Sequence, residues 1–172
     1  LTYFNKSLKI KIDYDDRLLQ ASTYAQIGSL YNETAQYTDA ISNLGIAKGI
    51  YQDFSHHYNL GTVLAMITHI YVDLSMFEIV EKYVTLTKDL MEEYGQPIIE
   101  GNWFIYEGII DFHKFENTNQ AIRNIEIGIE KFQVAQANER AFEYHLYIIR
   151  ILIYSMQFIE AQNKMKKILL LE

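Results

Sequence analysis

The stretch YAQIGSLYNETAQYTDAISNLGIA, residues 24–47, contains two helical patterns separated by a short polar segment. In the first pattern, Tyr24, Ile27 and Tyr31 recur at the i, i+3 and i+7 spacing of one helix face. Gly28 lies inside this pattern, although glycine in a helix interior costs about 1 kcal/mol relative to alanine. A residue with no side chain at this position indicates that another helix packs closely against it.

The second pattern begins at about Asp39 and carries Ala40, Leu44 and Ala47 at the i, i+4 and i+7 spacing of a helix. We interpret Gly28, Ala40 and Ala47 as structural positions at which neighbouring helices approach each other, where added bulk would overpack the contact. Residues 24–47 therefore predict a helical hairpin.

A step of 40 residues repeats this hairpin along the chain, and repeats of this length are typical of helical solenoids. The small residue of the first helix, Gly28, aligns with Thr68 and Gly108. The residue that opens the second helix recurs, with a one-residue insertion in the third unit, at Ala40, Val80, Ala121 and Ala161.

The repeat predicts one all-α domain over residues 1–172, a right-handed α-solenoid of helix-turn-helix pairs. The clearest break is Tyr94-Gly-Gln-Pro97, between the second and third units. Because the chain begins with leucine, we expect it to be a fragment of a longer protein. The predicted units are the second helix of a preceding repeat with its connection at 1–20, repeat 1 at 21–57, repeat 2 at 58–97, repeat 3 at 98–138 and a terminal repeat 4 at 139–172.

These positions resemble the tetratricopeptide repeat (TPR), in which an aromatic, a small residue and a tyrosine on the first helix precede an aromatic-x-x-Ala signature on the second. The first unit matches well, and the fourth keeps little beyond the aromatic and alanine of its second helix. The residues that carry the resemblance are Tyr24, Gly28, Tyr31, Tyr37, Ala40, Ala47, Tyr71, Phe77, Gly108, Ala121, Phe158 and Ala161.

A narrower resemblance is to the peptide-pheromone receptors of Gram-positive bacteria, the Rap, PlcR and Rgg group. It rests on the 40-residue period and on the segments between helices at residues 9–16 and 91–96. The resemblance implies a quorum-sensing domain that binds a short signalling peptide in its concave groove. In this group a helix-turn-helix DNA-binding domain often precedes the repeats, so DNA binding would belong to an N-terminal part absent from these residues.

Composition restricts the partners further. The chain has 15 Lys and Arg against 22 Asp and Glu, and the net charge of −7 argues against direct contact with nucleic acid. It contains no cysteine, which excludes disulfides and thiolate metal sites. The longest apolar runs are far shorter than the roughly 20 residues that cross a bilayer, and no signal-peptide pattern is present. We expect a cytoplasmic protein without membrane contact.

The sequence shows no pattern of an enzyme, a metal site or a cofactor site. No Walker-type loop occurs, and none of the five histidines forms a His-x-x-x-His pair. Glu107 and Asp111 lie at i, i+4 and could place two carboxylates on one face. A solvated acidic face or a salt bridge to a neighbouring unit is favoured over acid-base catalysis, because the pattern includes no pocket.

A ligand site is instead expected on the concave face, lined by the first helix of each hairpin. Amides such as Asn32 and Asn102 offer a donor and an acceptor to a peptide backbone, and Arg150 can hold a carboxylate with two hydrogen bonds. Ile105, Ile109 and Phe112 would supply apolar pockets. The predicted peptide-binding residues are Ser29, Asn32, His69, Asn102, Ile105, Tyr106, Ile109, Phe112 and Arg150. For each of them, ordinary surface polarity or packing between helices is the alternative.

The leading hypothesis is a non-catalytic domain that binds a short peptide or protein segment and forms the sensory region of a transcriptional regulator. The competing hypothesis is a scaffold or homodimerisation module that docks folded partners. A third is a phosphatase-regulating protein of the Rap type, which would need an N-terminal helical bundle that these residues do not include.

Overall fold

A computed structural model describes residues 1–13 and 16–169, and in these residues the backbone forms nine α-helices and no β-strand. Each helix from α3 to α9 is joined to the preceding one by a short connection. The helices are α1 Thr2–Asp13, α2 Arg17–Glu33, α3 Tyr37–Asp53, α4 His57–Asp73, α5 Phe77–Tyr94, α6 Pro97–His113, α7 Thr118–Val134, α8 Asn138–Tyr154 and α9 Phe158–Leu169.

The helix starts confirm the 40-residue period. From α2 to α6 a helix begins every 20 residues, and from α7 to α9 the same spacing resumes one residue later. The additional residue therefore lies in the connection between α6 and α7, in the third unit, as the repeat alignment predicts. The predicted break at residues 94–97 is the connection between α5 and α6, and Pro97 occupies the first turn of α6, where a missing N–H costs nothing.

The chain divides into two compact units, residues 1–79 and residues from 80 onwards. In the first unit, α2 and α3 form an extensively packed hairpin, with α1 packed on α2 and α4 packed on α3. In the second unit, α6 and α7 form the corresponding hairpin, α8 packs on α7, and α9 packs on α8. Each unit has its own apolar core.

Close approach of the two helices explains Gly28 in the first hairpin. A Cβ atom at this position would lie 2.6 Å from Leu44 Cγ and 3.2 Å from the carbonyl oxygen of Ala40. Ala40, Leu44 and Ala47 are fully buried at the same contact. Bulk on either helix would force them apart, so the helical hairpin depends on the small residues.

The α6–α7 hairpin contains three such contacts. A Cβ on Gly108 would lie 2.7 Å from the carbonyl oxygen of Ala121. Gly101 and Gly128 face each other, since a Cβ on either would approach the other's carbonyl oxygen to 3.2 Å or less. The column of small residues that contains Gly28 does not include Gly101, which aligns instead with Gly61 one unit earlier.

Every connection from α2 to α9 contains one residue in the left-handed backbone region, with φ between +51° and +59°. After α2, α3, α4, α7 and α8 the following residue donates its N–H to a carbonyl five positions back, as His56 does to Tyr51 at 2.8 Å, which is the Schellman termination of a helix. The left-handed residues are Ala35, Ser55, Ser75, Gly95, Glu116, Gln136 and Met156. Only one of these is glycine, so the other six are strained.

Replacing Gln136 with glycine is expected to raise the free energy of unfolding by about 0.5–1 kcal/mol, because glycine adopts positive φ without a Cβ clash. The matched control is Gln133→Gly, which lies near the end of α7 and should lower stability through poorer helix propensity. Urea titration followed by fluorescence of Trp103, the only tryptophan, measures both variants in the second unit. A loss of stability in Gln136→Gly would contradict the prediction.

Candidate functional site

A concavity in the second unit lies between the first helices of two consecutive hairpins, α6 and α8. It has a volume of about 390 Å³ and is open to solvent. The lining residues are Phe112 and His113 from the last turn of α6, and Tyr147, Arg150, Ile151 and Tyr154 from α8. We call this the α6–α8 cleft.

The α6–α8 cleft combines a cation with aromatic walls. The His113 Nε2 atom lies 2.9 Å from the Tyr147 hydroxyl and forms a hydrogen bond across the two helices. The guanidinium carbon of Arg150 lies 5.7 Å from the centre of the Tyr147 ring. Among the described residues, Arg150 has no carboxylate at ion-pair distance. A ligand carboxylate beside an apolar side chain complements this arrangement.

Burial lowers the pKa of His113, and the nearby positive charge of Arg150 lowers it further. His113 is therefore neutral at pH 7, and the ring contributes one donor and one acceptor to the cleft. Since protonation would place a second positive charge beside Arg150, the pKa of His113 should rise when an anion occupies the cleft.

Two further contacts join α6 and α8 nearer to the N-terminal ends of these helices. We call the line of contacts between α6 and α8 the seam. Arg140 Nη1 donates to Asn102 Oδ1 at 3.2 Å, and the Tyr144 hydroxyl donates to the Tyr106 hydroxyl at 3.5 Å. Asn102 is only 1% exposed, and its Nδ2 atom is buried without a hydrogen-bond partner among the described residues. A buried amide donor without a partner carries a desolvation cost of about 1–3 kcal/mol.

The structure places the predicted residues of this unit in two environments. Phe112 and Arg150 come together in the α6–α8 cleft. The other four are buried side chains of α6 that contribute to the core and the seam instead of lining an open groove: Asn102, Ile105, Tyr106 and Ile109. Ile105, for example, packs on the backbone of Gly128, which explains why it turns away from solvent.

The first unit has a shallower cleft of about 300 Å³, lined mainly by α2 and α4. Predicted residue Ser29 lines it, whereas Asn32 and His69 lie outside its lining. His69 is exposed, and its Nε2 atom lies 3.8 Å from an oxygen of Asp73 on the same helix. Asn32 is partly exposed, with a buried Oδ1 atom that has no partner among the described residues.

Tyr51 also lines this cleft, and the sequence reasoning missed it because it considered only the first helix of each hairpin. Tyr51 belongs to α3, is 3% exposed and forms hydrogen bonds with Ser22 and Asn59. Burial raises the pKa of its hydroxyl despite these bonds. The only feature of the sequence that could have indicated Tyr51 was its position as an aromatic residue in the last turn of α3, the second helix of the hairpin.

The Glu107–Asp111 pair lies on α6, away from the α6–α8 cleft. Asp111 accepts a hydrogen bond of 2.7 Å from Asn124 on α7, which ties the two helices together. Burial raises the pKa of Glu107, and Asp111 and Glu81 add to the rise, while Lys88 opposes it. The geometry is that of a structural polar cluster at the helix interface.

Replacing Glu107 with glutamine is expected to raise the free energy of unfolding at pH 7 by about 0.5–1 kcal/mol, because a like-charged i, i+4 neighbour and partial burial disfavour its charge. A carboxyl with a raised pKa stabilises the fold when protonated and loses that contribution as the pH rises through the folded pKa. The increase in the free energy of unfolding caused by Glu107→Gln should therefore vanish near pH 4, below the ordinary pKa of glutamate.

Urea titrations of Glu107→Gln at pH 4 and pH 7, with the exposed residue of α8 changed in Glu143→Gln as the control, measure this difference. The control should change stability by less than about 0.5 kcal/mol at both pH values. An equal effect of Glu107→Gln at the two pH values would refute the assignment.

Two other kinds of site were sought in residues 1–13 and 16–169. No group of three or more His, Cys, Asp or Glu residues is arranged there to hold a metal ion. None of the described helices is both long and apolar enough to cross a membrane.

Consecutive helical hairpins with a 40-residue period place this chain in the all-α, TPR-like solenoid class that the sequence predicts. Among solved structures it is similar to the crystal structure of the apo form of RapI, with a TM-score of 0.71 and 18% sequence identity. The match covers 95% of this chain and 61% of that chain, so the present residues span about three-fifths of RapI. No protein-family profile and no curated protein matches the sequence.

Proposed function

We propose that this chain is a non-catalytic peptide-binding repeat domain and forms the sensory region of a cytoplasmic regulator. The observation that carries the proposal is the α6–α8 cleft, in which Arg150 lies over an aromatic wall without a carboxylate partner among the described residues. A peptide carboxylate can bind the guanidinium through two hydrogen bonds, and the rings of Phe112 and Tyr154 can hold a neighbouring apolar side chain.

The fold supports the same proposal. RapI has a similar backbone, and it belongs by name to the Rap group of regulators that the sequence resembles. The surface charge of this chain is acidic overall, which suits recognition of peptide rather than of nucleic acid. Any effect on transcription would then pass through another part of the protein.

Isothermal titration against a library of short peptides with free C-termini is the direct test. At least one peptide should bind, and both Arg150→Ala and Phe112→Ala should weaken its binding by about tenfold or more. Arg123→Ala removes an exposed arginine from α7 and serves as the charge-matched control. Asn32→Ala tests the predicted contact in the first unit. The proposal fails if no peptide in the library binds.

A scaffold or dimerisation role is the second candidate, and one observation favours it. The helix α9 exposes large apolar side chains, including Phe158 at 61% and Ile159 at 76% exposure. Exposed apolar residues on one helix are a common feature of protein interfaces. Sedimentation without added peptide distinguishes the two roles, because a dimerisation module should self-associate and Ile159→Glu should then abolish the association.

A further inference from the structure

We infer that the seam between α6 and α8 selects an extended peptide with two negative charges separated by four or five residues, one bound at Arg140 and the other at Arg150. This inference rests on the proposed peptide-binding function and specifies its ligand. The α6–α8 cleft explains only one end of such a ligand, and the second end is indicated by the environment of Arg140.

Arg140 is a positive charge without a carboxylate partner in residues 1–13 and 16–169. Its guanidinium carbon lies 5.9 Å from the centre of the Phe132 ring, and its Nη1 atom donates to Asn102. A guanidinium has five N–H donors, so one that donates to Asn102 keeps further donors for a carboxylate.

Asn102 supplies an independent indication of a ligand at the same place. Its side chain is buried, yet Nδ2 lacks a hydrogen-bond partner among the described residues. A carboxylate has two oxygen atoms, so one can accept from Arg140 while the other accepts from Asn102 Nδ2 once the arginine side chain shifts aside. Binding would then satisfy two groups that the unliganded seam leaves incomplete.

The spacing follows from helix geometry. Positions 140 and 150 are ten residues apart on α8, which corresponds to about 15 Å along the helix axis. An extended peptide advances about 3.3 Å per residue, so four to five residues cover this distance. The two charges are the C-terminal carboxylate and one acidic side chain, since a linear peptide ends in a carboxylate.

The charges around the seam strengthen the spacing requirement. Glu143 is exposed on α8 between the two arginines and would repel an acidic residue in the middle of the ligand. On α6, Asp111 is bonded to Asn124 on the side of α7, so it does not neutralise either arginine. The seam is therefore positive at its two ends and negative in the middle. This pattern favours negative charges at both ends of the peptide and disfavours negative charges between them.

The test uses acetylated peptides of serine, asparagine and leucine that carry a free C-terminus and a single glutamate placed two to seven residues before it. Titration calorimetry at low salt should show the tightest binding when this spacing is four or five. For that peptide, amidation of the C-terminus and Glu→Gln in the peptide should each weaken binding by about tenfold.

Each charge should couple to a different arginine. Arg140→Gln should abolish the effect of removing one peptide charge, and Arg150→Gln should abolish the effect of removing the other, whereas Arg123→Gln should change neither. Arg140→Lys keeps the charge and controls for loss of packing on Phe132, and circular dichroism verifies that every variant is folded.

Binding that does not depend on the spacing, or coupling of both arginines to the same charge, would overturn this inference and leave the proposed function intact. Failure of every peptide, including the library of short peptides with free C-termini, would overturn the proposed function itself.

Discussion

Gly28→Leu is expected to unfold at markedly lower urea concentration than the unchanged protein. The added side chain would start 2.6 Å from Cγ of the fully buried Leu44 and 3.2 Å from the carbonyl oxygen of Ala40. Overpacking of this kind costs up to about 3 kcal/mol. The better helix propensity of leucine relative to glycine offsets about 1 kcal/mol of this cost.

Gly45→Leu separates these two contributions. Gly45 lies in α3 of the same unit, and no atom lies within 4 Å of the Cβ that a side chain would add there. This variant gains the helix propensity without the overpacking, so its stability should rise slightly. Asn32→Ala should leave stability nearly unchanged, because the Oδ1 atom that it removes has no partner among the described residues.

Circular dichroism at 222 nm during urea titration measures all three variants, with Gly28→Leu and Gly45→Leu expected to differ by about 3 kcal/mol. Equal stability of the two leucine variants would show that α2 and α3 adjust to a side chain at this contact.

The helical period was predictable from the sequence because steric fit between paired helices repeats with the chain. Gly28 and Gly108 are small for the same reason, since each faces a carbonyl or a buried side chain of the second helix. Gly101 was missed although Gly61 lies 40 residues before it, because the alignment followed only the column of Gly28. A Cβ atom at Gly101 would meet the ring of Phe132.

The candidate site was only partly predictable, since each residue along a helix turns the side chain by about 100°. Phe112 lies on the face of α6, and Arg150 on the face of α8, that line the α6–α8 cleft. Ile105 and Ile109 lie on the adjoining face and are buried instead. The pairing of Arg140 with Asn102 joins positions 38 residues apart, and no local pattern indicates it.

Phe132→Ala should have the largest effect on stability in the second unit. Phe132 is fully buried on α7 and contacts both neighbouring helices: its ring meets Gly101 on α6 and lies 5.8 Å from the ring of Tyr144 on α8. Truncation of a buried phenylalanine costs about 3–5 kcal/mol, from lost burial and from the cavity left behind. Arg140 also loses the ring that holds its guanidinium, so peptide binding should weaken as well.

Gly101→Ala tests whether this cost arises from the fit between α6 and α7. In the unchanged protein the new Cβ would lie 2.6 Å from Phe132 Cδ1 and Cε1, so Gly101→Ala should be destabilising. In the Phe132→Ala background those ring atoms are absent, and the nearest remaining obstacle is the Gly128 carbonyl oxygen at 3.2 Å. The same substitution should then stabilise the protein, because it partly fills the cavity and improves helix propensity by about 1 kcal/mol.

Trp103 lies on α6 two residues after Gly101, so its fluorescence during urea titration reports on this hairpin in all four members of the double-mutant cycle. The expected sign reversal corresponds to a coupling energy between positions 101 and 132 of about 1–3 kcal/mol. If Gly101→Ala lowers stability equally in both backgrounds, the glycine is required by the approach of Gly128 rather than by Phe132. In that case the contact between the two helix backbones, and not the aromatic side chain, sets the spacing of α6 and α7.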